Sequence, residues 1–329
     1  MVLIRADANE QIGTGHVMRC LSIARAFTEE VVFVTADHGS DELISGFPGV
    51  CLNTSWREME EELPLLQRVM EERKPSLLLI DSYSVTEHYL AELSRSVRTA
   101  YIDDLNVRTW PVDCLINYNI YAESLAYDPY KGTDTKLLLG PRYTPLREEF
   151  RELPKHRIKE KIEDVLVSAG GADPERVTER LIAEVCPFHP DVRFHFVVGA
   201  LNPRIEKIRE LERGNVILHI RERRMSELMM KCDAAVSAAG TTLYELCACG
   251  IPTIAYVLAD NQAEAAEQFE RQGIMLYAGD CRNDDMFGQQ VERLLRKLDA
   301  ARRAELSEHM RALVDGQGAK RISEELEKL

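Results

Sequence analysis

The run Ile12-Gly13-Thr14-Gly15-His16-Val17-Met18-Arg19 holds the first residues with chemistry in them. Gly13 and Gly15 let the backbone turn tightly and come close to a ligand, and open amides at the start of a following helix attract an anion. His16 falls at that helix start. The helix dipole there disfavours an imidazolium, so the ring is expected to be neutral and able to take a proton, as a general base must. A histidine that only caps or packs is the competing reading; the place directly behind a Gly-x-Gly turn favours function. The run is not a full dinucleotide fingerprint, because Met18 stands where the third glycine would be.

Two more glycine turns lie in the second half: Val167-Ser168-Ala169-Gly170-Gly171-Ala172-Asp173 and Ser237-Ala238-Ala239-Gly240-Thr241-Thr242-Leu243-Tyr244-Glu245. Each follows a strand pattern and opens a helix, so each can offer amides and hydroxyls to a phosphate. Neither ends in Gly-Lys-Ser/Thr, so neither is a P-loop. One such turn is equally a helix-capping turn; two on neighbouring strand ends point to a nucleotide. Glu245, one turn into its helix, suits the two hydroxyls of a ribose, and equally a capping box or a solvated helix face. Asp260-Asn261-Gln262 suits sugar hydroxyls and acetamido groups, or an N-cap. Asp81-Ser82-Tyr83 and Asp103-Asp104 end two further strands. Paired carboxylates there suit a metal or shared acid–base work, or loop capping, which is preferred for Asp103-Asp104. No His-x-x-x-His or Gly-x-Ser-x-Gly occurs, so neither a zinc site nor a serine nucleophile is expected. The acidic runs at residues 58–62 and Glu324-Glu325 are expected to be solvated helix faces.

These residues must be held by strands and helices that alternate along the chain. Apolar runs predict strands at Val2–Ala6, Val31–Thr35, Leu77–Asp81, Arg98–Ile102, Cys114–Asn117 and Lys136–Leu139, with a helix over residues 17–27. Continuous apolar runs separated by helices imply a parallel sheet buried on both faces. Leu153-Pro154-Lys155-His156-Arg157-Ile158-Lys159 is polar and proline-marked, and reads as a linker. After it the alternation restarts. Strands are expected at Asp164–Ser168, 192–198, Val216–Ile220, 234–237 and 253–256, and helices at 174–185, 243–249 and from Gln262. Residues 291–329 read as helical, broken around Gly316 and Gly318. The expected fold is α/β, with two doubly wound Rossmann-like domains at residues 1–153 and 154–329. Ligands in such sheets bind beyond the carboxyl ends of the strands, and with two domains the expected site is the central cleft between them.

The chain has 329 residues, 45% apolar and 29% charged, enough to fill two cores. Its formal net charge of −14, with the larger acidic excess before Leu153, argues against nucleic-acid binding. No apolar run is long enough to span a membrane, and the first residues do not read as a signal peptide. The eight cysteines contain no Cys-x-x-Cys and sit mostly in apolar runs, so buried reduced thiols and a cytoplasmic setting are expected. The oligomeric state is not readable.

Two stretches carry a family resemblance. Gly240-Thr241-Thr242-Leu243-Tyr244-Glu245-Leu246-Cys247-Ala248-Cys249-Gly250-Ile251-Pro252-Thr253-Ile254, followed by Asp260-Asn261-Gln262, resembles the donor-nucleotide motif of GT-B glycosyltransferases of the MurG type. Arg5-Ala6-Asp7-Ala8 and Ile12 to Leu21 narrow the match. With Ile80-Asp81-Ser82-Tyr83, Tyr101-Ile102-Asp103-Asp104, Leu139-Gly140-Pro141-Arg142-Tyr143 and Leu146-Arg147-Glu148-Glu149-Phe150, they look like the PseG family. That family comprises UDP-2,4-diacetamido-2,4,6-trideoxy-β-L-altropyranose hydrolases of pseudaminic acid biosynthesis; relatives with the same motifs belong to spore-coat or surface-polysaccharide pathways. The resemblance implies a GT-B fold, a UDP-sugar substrate and inverting hydrolysis without metal or cofactor. It puts the general base on His16 and the sugar side near Tyr83. It puts the pyrophosphate on Gly170, Gly171, Gly240, Thr241 and Thr242, the ribose on Glu245, and the sugar on Asn261 and Gln262. Gly13, Gly15 and Arg147 are further substrate-binding candidates. The alternatives are a glycosyltransferase using the same UDP-sugar donor and a nucleotide-sugar-binding protein without turnover.

Overall fold

The computed structural model describes residues 1–9, 11–199, 202–282 and 284–329 of the chain. It divides into unit one, Met1–Glu148 with Gln317–Leu329, and unit two, Glu149–Gly316.

Unit one contains β1 (Val2–Ala6), α1 (Gly15–Ala24), β2 (Val31–Thr35), α2 (Asp41–Ile44), β3 (Gly49–Cys51), α3 (Met59–Arg73), β4 (Leu77–Asp81), α4 (Glu87–Ser94), β5 (Arg98–Ile102), β6 (Cys114–Asn117) and β7 (Lys136–Leu139). Among the described residues the strands form one sheet in the order β3-β2-β1-β4-β5-β6-β7. Every neighbouring pair is parallel, and the register sets Ala6 beside Asp81. Every residue of β1, β2 and β4 is buried, because helices cover both faces. On one face Val2, Ile4 and Leu79 pack with Val17, Cys20 and Leu21 of α1. On the other, Leu3, Leu78 and Ile80 pack with Leu63, Leu66 and Met70 of α3 and Leu90 and Leu93 of α4.

Unit two contains β8 (Asp164–Ser168), α5 (Val177–Glu184), β9 (Arg193–Val198), α6 (Ile205–Arg209), β10 (Val216–Ile220), α7 (Met225–Lys231), β11 (Ala234–Ala238), α8 (Thr242–Cys249), β12 (Thr253–Val257), α9 (Ala263–Arg271), β13 (Leu276–Asp280), α10 (Phe287–Arg296) and α11 (Ala300–Leu313). Its sheet, again parallel throughout, has the order β10-β9-β8-β11-β12-β13. Val165, Val167, Phe194, Phe196, Val236 and Ile254 form its core with Leu181 of α5 and Val291 of α10.

The last helix, α12 (Gly318–Leu326), belongs to unit one. This corrects the expected domains of 1–153 and 154–329. Ile322 and Leu326, one turn apart, fill the core beside Val17 and Leu21. Ser323 Oγ donates to Ala26 O at 3.1 Å, and Thr28 N donates to Glu327 Oε1 at 2.8 Å. A side chain at Gly318 would collide with the Thr144 backbone, so only glycine allows that approach. The expected linker is also the beginning of unit two: Arg311 Nη1 and Nη2 donate to Pro154 O and Leu153 O, both at 3.1 Å.

A second correction concerns the acidic run at residues 58–62. Glu62 is 0% exposed. Its oxygens take Arg5 Nε and Nη2 at 2.7 Å each, and Tyr89 Oη at 2.7 Å. The run is one edge of α3, and Glu62 is the member that turns inward to neutralise a buried guanidinium. All eight cysteines are free thiols, seven of them buried. Among the described residues no helix is long and apolar enough to cross a membrane.

Candidate active site

The turn between β1 and α1 is built as its glycines require. Gly13 has φ +73° and donates its amide to Asn9 O at 2.8 Å. Asn9 Oδ1 accepts from the amides of Gln11 and Ile12 at 2.9 and 3.1 Å, an Asx turn that pins the loop. Thr14, the N-cap of α1, makes no side-chain cap bond, and the space in front of Gly13 and Gly15 is open. The amides at the start of α1 therefore remain available to a ligand.

His16 is 9% exposed and faces the end of β4. Its Nδ1 lies 2.6 Å from Asp81 Oδ1. Arg19, one turn further along α1, donates Nε to Asp81 Oδ2 at 2.5 Å and Nη2 to Asp81 Oδ1 at 2.6 Å. Burial would raise the Asp81 carboxyl, but the Arg19 charge and its hydrogen bonds, with His16, hold it well below the usual carboxylate range. An ionised Asp81 only accepts hydrogen bonds, so the imidazole proton is assigned to Nδ1. Nε2 makes no hydrogen bond to any described residue. A neutral imidazole with its tautomer fixed by a carboxylate is the arrangement of a general base.

Arg19 extends the network. Its Nη1 donates to Asp104 Oδ2 at 2.8 Å and to Tyr118 Oη at 2.7 Å. Tyr83 Oη donates to the same Asp104 oxygen at 2.7 Å, and the Tyr83 ring stands edge-on to His16, 4.7 Å between centroids. The ring is 60% exposed although its hydroxyl is tied down. The two acids of the Asp103-Asp104 pair differ in role. Asp103 caps the loop as preferred, accepting from the amides of Leu105 and Asn106 and from Trp110 Nε1 at 3.0 Å. Asp104 instead joins Arg19, Tyr83 and Asn119, so the capping preference fails for that residue. Arg19 and Tyr118 were given no role from sequence, and Asp104 was read only together with Asp103. The usable signal was the three-residue spacing of His16 and Arg19, which puts both on one helix face.

In unit two the glycine turns follow β8 and β11, which are adjacent, with Ser168 beside Ser237; Asp260-Asn261-Gln262 follows the next strand, β12. Gln262 Oε1 accepts from Leu258 N at 2.9 Å, and Gln262 Nε2 would lie 3.9 Å from a Cβ at Gly240, so the two segments meet. Gly170, Gly171, Thr241 and Asn261 are exposed; Gly240, Thr242, Glu245 and Gln262 are half-buried. The two turns differ in what they leave open. Asp173 caps α5 itself, accepting from Val177 N at 2.7 Å and Thr178 N at 3.0 Å, so this helix begins at Val177 and not at residue 174. The loop amides of Gly170 and Gly171 lie ahead of that cap and take no part in it. Gly170 has φ +74°, and a side chain at Gly199 would collide with Gly171. At α8, Thr241 makes no side-chain cap bond; Leu243 N and Tyr244 N donate to Gly240 O and Thr241 O at 3.0 and 3.1 Å, so the amides of Thr241 and Thr242 are those left to an anion. Arg147 is half-buried near the end of the longer segment of unit one.

Among the described residues one carboxylate group is compact enough for a metal: Glu163, Asp164 and Asp233, within 4.8 Å of one another. It lies at the amino ends of β8 and β11, away from the glycine turns. Lys159 Nζ already sits among its oxygens, 2.9 Å from Glu163, 3.1 Å from Asp233 and 3.5 Å from Asp164. A lysine ammonium supplies the positive charge there.

Two parallel doubly wound units with open glycine turns at strand ends define a GT-B fold. The structure is similar to that of MurG from Acinetobacter baumannii, with a TM-score of 0.74, 12% identity and coverage of 100% of this chain and 99% of the other. No family model matches the chain. In sequence it is similar to the spore coat polysaccharide biosynthesis protein SpsG of Bacillus subtilis, 25% identical over 99% of this chain and 97% of the relative. It is also similar to the UDP-2,4-diacetamido-2,4,6-trideoxy-beta-L-altropyranose hydrolase of Campylobacter jejuni, 26% identical over 83% of this chain and 97% of the relative.

Proposed function

We propose that the protein hydrolyses a UDP-sugar at its anomeric carbon, with UDP-2,4-diacetamido-2,4,6-trideoxy-β-L-altropyranose as substrate, in pseudaminic acid biosynthesis. The observation that carries the reading is the His16–Asp81 pair at the start of α1 and the end of β4, with Nε2 unoccupied by any described residue. His16 Nε2 takes a proton from water as the water oxygen attacks the anomeric carbon. The bond from that carbon to the β-phosphate oxygen breaks on the opposite face, so the configuration inverts. The electron pair leaves with UDP. The amides of Thr241 and Thr242, in the turn that Gly240 opens at the start of α8, with the loop amides of Gly170 and Gly171, take the charge building on the diphosphate. Donors of that kind do the work of a metal, and the reaction is metal-independent in this reading. Glu245 holds the ribose, and Asn261 and Gln262 hold the sugar. Tyr83, edge-on to His16, lines the sugar side; Arg147 and the amides of Gly13 and Gly15 add substrate contacts. The hydrolase named among the relatives supports the substrate, and the free thiols support a cytoplasmic setting.

The test is the variant His16→Asn. Loss of turnover by about 10³-fold or more, with UDP affinity by calorimetry within about twofold of wild type, supports the base assignment. Unchanged kcat overturns it.

A further inference from the structure

Arg19 is the most heavily paired side chain around His16, and the reaction just described gives it no task. Its guanidinium spans two carboxylates, one ending β4 and one just after β5: both oxygens of Asp81 at 2.5 and 2.6 Å, and Asp104 at 2.8 Å. Its Nη2 also stands 3.3 Å from His16 Nδ1. At that distance two cations repel strongly in a site shielded from water, whereas a cation and a neutral ring do not. Asp81 would otherwise have His16 as its one strong partner, with Cys20 Sγ at 3.7 Å as a weak one. A wholly buried carboxylate left in that state draws a proton onto the imidazole beside it.

We propose that Arg19 is a positioning residue that sets the protonation of His16: it balances the Asp81 charge, opposes the imidazolium, and through Asp104 fixes the Tyr83 ring against the imidazole. The groups that face His16 are Asp81 from the end of β4, Arg19 from α1, and Tyr83 from the segment after β4; Cys20 Sγ stands against Asp81. Asp104 and Tyr118, after β5 and β6, act through Arg19. The catalytic meaning rests on the reading of His16 as the base. The charge balance does not, and it is measured without substrate. A residue that merely tied β4, β5 and β6 together would change stability when replaced and leave the imidazole titration where it was.

The experiment is long-range 1H–15N correlation spectroscopy of the imidazoles in the full chain, with the His16 signals identified by their absence in H16N. Wild type is expected to show the Nδ1-protonated tautomer at neutral pH. R19Q is expected to raise the His16 titration midpoint by about one pH unit, and to move the acid limb of kcat/KM upward with it. R19K keeps a charge but cannot fork across two carboxylates, so it is expected to move the midpoint upward by less. A midpoint shift in R19Q below about half a unit, or downward, overturns the proposal. So does an Nε2-protonated tautomer in wild type, a result that needs no variant to fold. If these signals behave as expected while H16N still turns over substrate, the charge balance stands and the hydrolase mechanism falls.

Discussion

Replacing Asp81 by asparagine keeps the volume of a fully buried side chain and inverts half of its hydrogen-bonding character. The carboxylate takes three close donors, Arg19 Nε, Arg19 Nη2 and His16 Nδ1, at 2.5, 2.6 and 2.6 Å. The amide has one oxygen to offer them, and its nitrogen must face a donor. Arg19 cannot give up a proton, whereas the imidazole can move its own from Nδ1 to Nε2. A nitrogen in the Oδ1 place meets Arg19 Nη2 as well as His16, so the guanidinium is expected to lean on Asp104 and Tyr118 and keep Nε on the amide oxygen, the imidazole to move its proton, and the lone pair that would take the water proton to be lost. Removing one partner from a buried ion pair costs about 3–5 kcal/mol; Arg19 keeps Asp104 and Tyr118, so about 2–3 kcal/mol of unfolding free energy is expected to go. In the reaction, a wrong tautomer at an intact site is expected to lower kcat about 10³-fold, equivalent to about 4 kcal/mol of transition-state stabilisation. UDP release at saturating UDP-sugar, with a urea melt on the same samples, measures both quantities. A variant that loses the stability yet keeps kcat within about threefold of wild type refutes the argument, because Asp81 would then be structural only.

Glu245→Ala is expected to weaken UDP binding about tenfold, through loss of charge-assisted hydrogen bonds to the ribose; calorimetry showing an unchanged Kd removes Glu245 from that role. Incubation with EDTA is expected to leave turnover unchanged, and inhibition reversed by Mg²⁺ or Mn²⁺ contradicts the metal-free mechanism. Burial would raise the Asp164 carboxyl, but Arg193 and His195 hold it down at about 2. A depressed carboxyl contributes stability above its unfolded value near 4 and loses it as the pH falls through about 2, so unit two is expected to weaken across that window. Arg193 is largely exposed, so solvent screening keeps the contribution small; acid denaturation of Asp164→Asn with an unshifted midpoint speaks against it.

Much of this architecture was legible in the sequence because parallel strands buried on both faces must be written as unbroken apolar runs. Leu77–Asp81 and Cys114–Asn117 are strands at the residues read. The glycine turns were legible for a related reason: φ values such as +73° at Gly13 and +74° at Gly170 are conformations other residues rarely take. What escaped depends on which surfaces meet. The spacing of Ile322 and Leu326 says that a helix face needs cover, not that the cover lies in a core begun three hundred residues earlier. Glu62 has the same sequence character as Glu60 and Glu61, and only the buried Arg5 beneath it separates it from its neighbours. The Arg19 network escaped because its carboxylates arrive from the ends of β4 and β5. The division of labour within Asp103-Asp104 is set by backbone direction at a loop.

The most direct measurement is time-resolved 1H NMR of the purified protein with UDP-2,4-diacetamido-2,4,6-trideoxy-β-L-altropyranose and no acceptor. The account predicts release of UDP together with the free sugar, seen first as the inverted anomer. No turnover, with UDP still bound in a parallel titration, would contradict it and make the protein a transferase awaiting an acceptor or a binding protein.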